Sequence, residues 1–342
     1  MVDGGGRRQR AYIGSFTTAG GRGILVADVD PDSGALRVLS AVDDLPDPSY
    51  LAMSGDLLYA VSETPDGMVA AYRRDGDELK LIAEPVPVGA DEPTHLSVHA
   101  GHVLTANYGS GSVTAVMLRD DGTPVVGAAA VLQHEGSGPV RDRQRFPHAH
   151  QVQPDPSGRW IVCVDLGTDS VRVGALEGGA MALKREIRLR PGSGPRHLAF
   201  HPDGRRAYVL NELTPTVISC GWDAERGILE PFAETSVLPD VPVGDACPSG
   251  IVVSPDGRFV WTATRGQDVV SVLAVENDGL RLVTTVPTGG VWPRALALTG
   301  GFLYAANERS GDVTWFAVDP DTGVPLPGGS VSAPAASCVV FG

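Results

Sequence analysis

Gly194-Pro195-Arg196-His197-Leu198-Ala199-Phe200-His201-Pro202-Asp203-Gly204-Arg205-Arg206-Ala207-Tyr208-Val209-Leu210-Asn211-Glu212 reads as two antiparallel strands joined by a turn. Leu198 and Phe200 alternate with more polar neighbours, the period of a strand. Pro202-Asp203-Gly204 supplies the turn, because proline presets φ and glycine tolerates a positive one. Tyr208, Val209 and Leu210 make the second strand. Arg196 and His197 stand where the first strand begins; Asn211 and Glu212 stand where the second ends. Antiparallel pairing sets those two ends side by side. One hairpin therefore delivers a guanidinium and a carboxylate to the same sheet edge.

The rest of the chain repeats this unit. Prolines precede the first strands at Pro48, Pro93, Pro147, Pro195, Pro248, Pro293 and Pro334, with spacings of 45, 54, 48, 53, 45 and 41 residues. That is the blade period of a β-propeller with four strands per unit. Ala11-Tyr12-Ile13-Gly14-Ser15-Phe16 matches the second strand of the other units and lacks a first. Pro334-Ala335-Ala336-Ser337-Cys338-Val339-Val340-Phe341 looks like a first strand with nothing after it. The predicted fold class is all-β: a seven-bladed β-propeller of four-stranded antiparallel blades, its ring closed by the N- and C-terminal strands in one blade. Residues 1–10 are expected to form a flexible tail and 11–342 a single propeller domain.

Composition narrows the function. The 342 residues carry a net charge of −14, which argues against nucleic acid or an anionic membrane surface as partner. No apolar run approaches the 18 or so residues of a membrane span. Cys163, Cys220, Cys247 and Cys338 are scattered without CxxC spacing, as expected of reduced thiols in a cytoplasmic protein. A ring of seven blades needs no partner to close, so a monomer is the simplest expectation.

Two columns of residues meet at one rim. The first holds Ser49/Tyr50, Thr94/His95, His148/Ala149, Arg196/His197, Ser249/Gly250, Arg294/Ala295 and Ala335/Ala336. The second holds Ser15/Phe16, Ser62/Glu63, Asn107/Tyr108, Asp165/Leu166, Asn211/Glu212, Thr264/Arg265 and Asn307/Glu308. Slots that vary between His, Arg, Glu and Ala mark a site grafted on a symmetric scaffold. Arg196, Arg265 and Arg294 come from consecutive units and predict an anionic ligand; the alternative is that each pairs with a neighbouring acid between blades. Glu212 reads as a proton-transfer residue or an ion-pair partner. His148 and His150 form an H-x-H pair, but no Cys or acidic cluster lies close enough in sequence to complete a metal site. His95 and His197 share a slot and read first as hydrogen-bonding groups between blades. The loop from Gln133 to Phe146 runs into Pro147 and is expected to overhang this rim.

Ala106-Asn107-Tyr108-Gly109-Ser110-Gly111-Ser112, Gln133-His134-Glu135-Gly136-Ser137-Gly138-Pro139, Pro147-His148-Ala149-His150, Gly194 to Phe200, Tyr208 to Leu213 and Arg265-Gly266 are the segments that carry a resemblance. In them the whole chain resembles the seven-bladed propeller lactonases, the family of bacterial 6-phosphogluconolactonase and fungal carboxymuconate cyclase. The resemblance implies a cofactor-independent site at the channel mouth, with His148, Arg196, Glu212 and Arg265 as catalytic residues. Arg294, His150, His197, Asn107, Asn211, Glu63 and Glu308 stand as substrate-binding candidates around them. Three segments depart from the family pattern. Ala-Glu-Ile-His is Ser249-Gly250-Ile251-Val252 here, Trp-Pro-Arg-His is Trp292-Pro293-Arg294-Ala295, and Ser-Asn-Arg-Gly is Ala263-Thr264-Arg265-Gly266. These changes are expected to enlarge and neutralise one side of the pocket. The resemblance implies hydrolysis of a small anionic lactone without metal or cofactor. The alternatives are a cycloisomerase of the carboxymuconate type, a biosynthetic enzyme with a larger substrate, and a non-catalytic ligand-binding propeller.

Overall fold

A computed structural model describes residues 9–342. Of the tail expected over residues 1–10, residues 1–8 lie outside the described residues, and Arg10 opens the first strand, Arg10–Ser15. Seven antiparallel sheets follow, each with a four-strand path from an inner strand outward. Among the described residues the one helical element is the short 3-10 turn Thr17–Ala19. The inner strands are Ala336–Phe341 in blade 1, Leu51–Ser54 in blade 2, Pro93–His99 in blade 3, Ala149–Pro154 in blade 4, Pro195–Phe200 in blade 5, Cys247–Val253 in blade 6 and Pro293–Thr299 in blade 7. Blade 2 carries an additional short strand, Val86–Pro87, paired with Met68–Asp75.

The hairpin of blade 5 shows why this sequence makes a blade. Ala207, Tyr208, Val209 and Leu210 are all buried, so both faces of the second strand are covered. Ala207 and Val209 pack with Val162, Val164 and Val173 of blade 4. Tyr208 and Leu210 pack with Ile251, Val260 and Leu273 of blade 6. Period-two alternation thus divides one strand between two interfaces. The turn closes as expected: the Gly204 N–H donates to His201 O at 2.9 Å, with Gly204 at φ +68°. Seven hydrophobic clusters fill the seven blade interfaces, including blade 7 against blade 1. The ring is closed by pairing Ala336–Phe341 with Arg10–Ser15.

A slip in register recurs at one end of the inner hairpins. Pro195 pairs with Asn211 and His197 with Leu210, leaving Arg196 as the extra residue. The same one-residue bulge falls on Thr94, His150, Arg294 and Ser337, and on the Ser249-Gly250 pair of blade 6. A bulge re-aims the side chain it frees. These residues form a girdle: Ser337 Oγ donates to Ser49 O at 2.7 Å, Ser249 Oγ to Pro293 O at 2.5 Å, and Arg196 Nη1 to Ser249 O.

The bulges correct one slot of the first column. Blade 4 begins at Ala149, not at Pro147, so His150 rather than His148 is the counterpart of Arg196. Pro147 lies two residues before the strand and mimics the strand-opening proline of its neighbours. His148 precedes the strand, so the H-x-H pair does not alternate along one strand face.

Candidate active site at the channel mouth

The residue at the end of each second strand, the first past it in six blades and the last within it in blade 6, forms a ring with one member per blade: Phe16, Glu63, Tyr108, Leu166, Glu212, Arg265 and Glu308. Backbone pairing fixes these positions. The Glu212 N–H donates to Gly194 O at 2.7 Å, and equivalent bonds join Glu63 to Asp47, Tyr108 to Glu92 and Glu308 to Trp292. Gly194 sits at φ +59°, a left-handed backbone that suits glycine.

Three guanidiniums converge on the Glu212 carboxylate. Arg265 Nη2 lies 2.7 Å from Oε2 and Arg196 Nε 3.1 Å from the same oxygen, while Arg143 Nη2 takes Oε1. The Arg196 contact pairs charges without an aligned hydrogen bond, since Nε has no hydrogen-bond partner. Each cation arrives on a different element: Arg196 on the bulge of blade 5, Arg265 at the end of blade 6's second strand, Arg143 on the loop between blades 3 and 4. Arg196 and Glu212 are 3 % exposed and Arg265 is 7 % exposed. The cluster buries more positive than negative charge, an arrangement that costs free energy until an anion joins it. Burial, with Arg265 adding to it, pushes the Arg196 guanidinium down to about 9. Burial alone would raise the Glu212 carboxyl, but Arg265, Arg196, His150 and Arg143 outweigh it and hold it well below the usual glutamate range.

His148 lies beside this cluster. Its Nδ1–H donates to Tyr108 O at 2.8 Å, its ring stacks on Tyr108 at 4.3 Å, and its backbone N–H donates to Asp165 Oδ1 at 2.9 Å. With Nδ1 as donor, neutral His148 keeps a lone pair on Nε2. Tyr108 connects the two parts, since Arg143 also reaches its hydroxyl at 3.4 Å. Asp165 is held in turn by His134, whose Nδ1 lies 2.6 Å from Oδ2. Both ends of the 134–148 loop therefore attach to one buried carboxylate. Gln144 fixes the middle of the loop through Leu166 O and Asp169. The loop overhangs the rim as expected, and it contributes Arg143, a residue that sequence reasoning missed. Its one sequence signal is the length of the insertion before Pro147.

The far side of the mouth is built differently. Arg294 pairs with Glu308 at 3.0 Å and lies over the Phe16 ring at 4.7 Å. Glu63 accepts a hydrogen bond from Ser49 Oγ. Below the mouth, His197 meets His150 at 5.2 Å, His95 at 5.7 Å and Tyr50 at 6.5 Å between ring centroids. Blades 2 and 3 do not adjoin blade 5, so these rings meet across the channel. Burial, reinforced by Arg196, keeps all three imidazoles below their ordinary values, His95 down to about 3.

The structure does not bring every candidate to the mouth. Asn107 and Asn211 are fully buried within their blades, Asn107 donating to Ser112 and Thr114 and Asn211 to Thr216. Gly250 does not enlarge the pocket as expected: a Cβ there would lie 2.6 Å from Leu296 N, because the inner strand of blade 7 fills the space. Among the described residues, no three His, Cys, Asp or Glu side chains gather as a metal site would require.

The symmetric ring carries one buried, asymmetric cluster of Arg, Glu and His at its rim. The chain belongs to the lactonase family of seven-bladed β-propellers, whose family model matches residues 10–341. It is 35 % identical to the 6-phosphogluconolactonase of Bacillus subtilis, with 96 % of this chain and 97 % of that one covered. Among solved structures, the periplasmic gluconolactonase of Pseudomonas aeruginosa superposes with a TM-score of 0.91 at 29 % identity, covering 98 % of this chain and 99 % of that one. A protein from Lactobacillus plantarum superposes with a TM-score of 0.92 at 28 % identity, covering 98 % of this chain and 99 % of that one.

Proposed function

We propose that the protein hydrolyses an anionic sugar lactone at this mouth, with 6-phosphogluconolactone the first substrate to test. The observation that carries the reading is the convergence of Arg143, Arg196 and Arg265 on the single carboxylate of Glu212. Cationic side chains in excess of their partner favour a ligand that brings negative charge, either as a fixed anionic group or as the oxyanion formed when water adds to the carbonyl. The relatives' names support lactone chemistry in particular.

In this reading His148 Nε2 takes a proton from the attacking water, and the carbonyl oxygen takes up negative charge beside the guanidiniums. Glu212 suits the role of base poorly, because its oxygens are engaged and its proton affinity is depressed. It orients the arginines instead. Turnover of 6-phosphogluconolactone, corrected for spontaneous hydrolysis, tests the proposal in wild type, His148→Ala and Arg143→Ala. The expected results are acceleration by wild type, a loss of about 10²–10⁴-fold in kcat for His148→Ala, and a raised KM for Arg143→Ala. A fully active His148→Ala would remove the assigned base; a wild type that accelerates no sugar lactone would overturn the function.

A further inference from the structure

We propose that Glu63 is the general acid of this site, protonating the ring oxygen as the lactone opens while Glu212 stays ionised throughout. The proposal rests on the lactone-hydrolysing reading and assigns the half of the reaction that His148 leaves uncovered.

Three glutamates occupy equivalent positions in the rim ring, and their surroundings differ. Glu212 has three guanidiniums within ion-pair distance, and Glu308 has Arg294. Among the described residues Glu63 has no ion pair, only the Ser49 hydroxyl on Oε2. Glu63 is partly buried, and among the described residues its other oxygen accepts no hydrogen bond. Blade 2 stands three places round the ring from blade 5, so Glu63 faces the Glu212 cluster across the channel.

The charged and titratable groups around Glu63 come from four other blades: Arg294 of blade 7, Arg196 of blade 5, Glu92 at the entry to blade 3 and Cys338 of blade 1. Burial raises the Glu63 carboxyl; Arg294, the Ser49 bond and Arg196 pull it down and Glu92 pushes it up, with a net rise. Two carboxylates in one site are thus driven apart, the arrangement that separates a proton carrier from a permanent anion.

The proton inventory closes. His148 takes one proton from water as the hydroxide oxygen bonds to the acyl carbon. When the tetrahedral intermediate collapses, the bond between acyl carbon and ring oxygen breaks, and the departing oxygen takes the proton from Glu63. The proton on His148 returns to Glu63 through solvent, and the product acid releases its own to solvent.

The test is Glu63→Gln, which keeps the size of the side chain and an acceptor for Ser49, with Glu63→Asp beside it. Thermal unfolding first establishes that both are folded. On 6-phosphogluconolactone, Glu63→Gln is expected to lower kcat about 10²-fold or more with KM within about 3-fold, and to remove the alkaline limb of the wild-type kcat–pH profile. Glu63→Asp is expected to keep part of the rate. Unchanged kcat, or a raised KM at unchanged kcat, overturns the proposal and leaves the hydrolase reading standing. A wild type that accelerates no lactone overturns that reading and this proposal together. Infrared spectra give a readout separate from turnover: at the pH of maximal kcat the protonated-carboxyl C=O band of wild type is expected to weaken in Glu63→Gln, and an identical band in the two proteins overturns the proposal.

Discussion

At the scale of single residues, the Glu212 cluster is a buried ion-pair network whose parts are unequal. Arg143 keeps 37 % of its side chain exposed, while the Arg196 and Glu212 side chains are each 4 % exposed. Removing Glu212's charge leaves buried guanidiniums uncompensated. Glu212→Gln is therefore expected to lose about 3–5 kcal/mol at neutral pH, read by chemical denaturation. The pH dependence follows from the depressed carboxyl. Its contribution is complete above the ordinary glutamate value of 4.5 and is lost as pH falls toward the folded-state value. The stability gap between wild type and Glu212→Gln should narrow progressively below that pH; a gap that is flat or widens would assign the loss to packing. Arg196, Glu212 and Arg265 were legible in the sequence because each sits at a fixed offset in the repeat. Arg143 was not, because no repeat spacing places a loop residue over a neighbouring blade.

At the scale of the element, the inner hairpin was legible in its strands and turn but not in its bulge. Alternation and Pro-Asp-Gly predict pairing; nothing in them says that one residue will slip out of register. That slip frees Arg196 and shifts the blade 4 slot from His148 to His150. The two glycines of the hairpin show which end carries the site. A Cβ on Gly194 would lie 2.3 Å from Leu213 Cγ, at a residue with φ +59° whose carbonyl anchors Glu212. A Cβ on Gly204, at φ +68°, meets nothing within 4 Å. Gly194→Ala is expected to cost about 1–3 kcal/mol and to depress turnover by moving Glu212. Gly204→Ala is expected to cost about 1 kcal/mol with turnover unchanged. Thermal unfolding and kinetics of the two variants check this, and equal losses of activity would detach Glu212's placement from the Gly194 turn.

At the scale of the whole molecule, the site exists because the ring closes. Its residues come from blades 3 to 6 on one side and from blades 1, 2 and 7 on the other, so an opened ring would separate them. The two orphan strands at the chain ends made this closure legible, since neither has a partner in its own stretch of sequence. The structure adds that the ends lie side by side: Arg10 N–H donates to Gly342 O and Gly342 N–H to Arg10 O, both at 3.0 Å. Closure is therefore a matter of pairing and not of where the chain is cut. A circular permutant joining Gly342 to Gln9 through a short turn, and opened at the exposed Gly178-Gly179 turn, retains every strand pair and every interface. It is expected to fold in one cooperative transition. Deleting residues 334–342 instead removes the inner strand of blade 1. Ala336, Cys338 and Val339 then leave two interface clusters, and the Ser337 bond to Ser49 is lost next to Glu63. That loss should exceed the net stability of about 5–15 kcal/mol available to a folded domain. The deleted chain is expected to be insoluble or unfolded by circular dichroism and denaturation. If it instead folds as cooperatively as the permutant, six blades hold the ring by themselves, and closure does not set the geometry of the mouth.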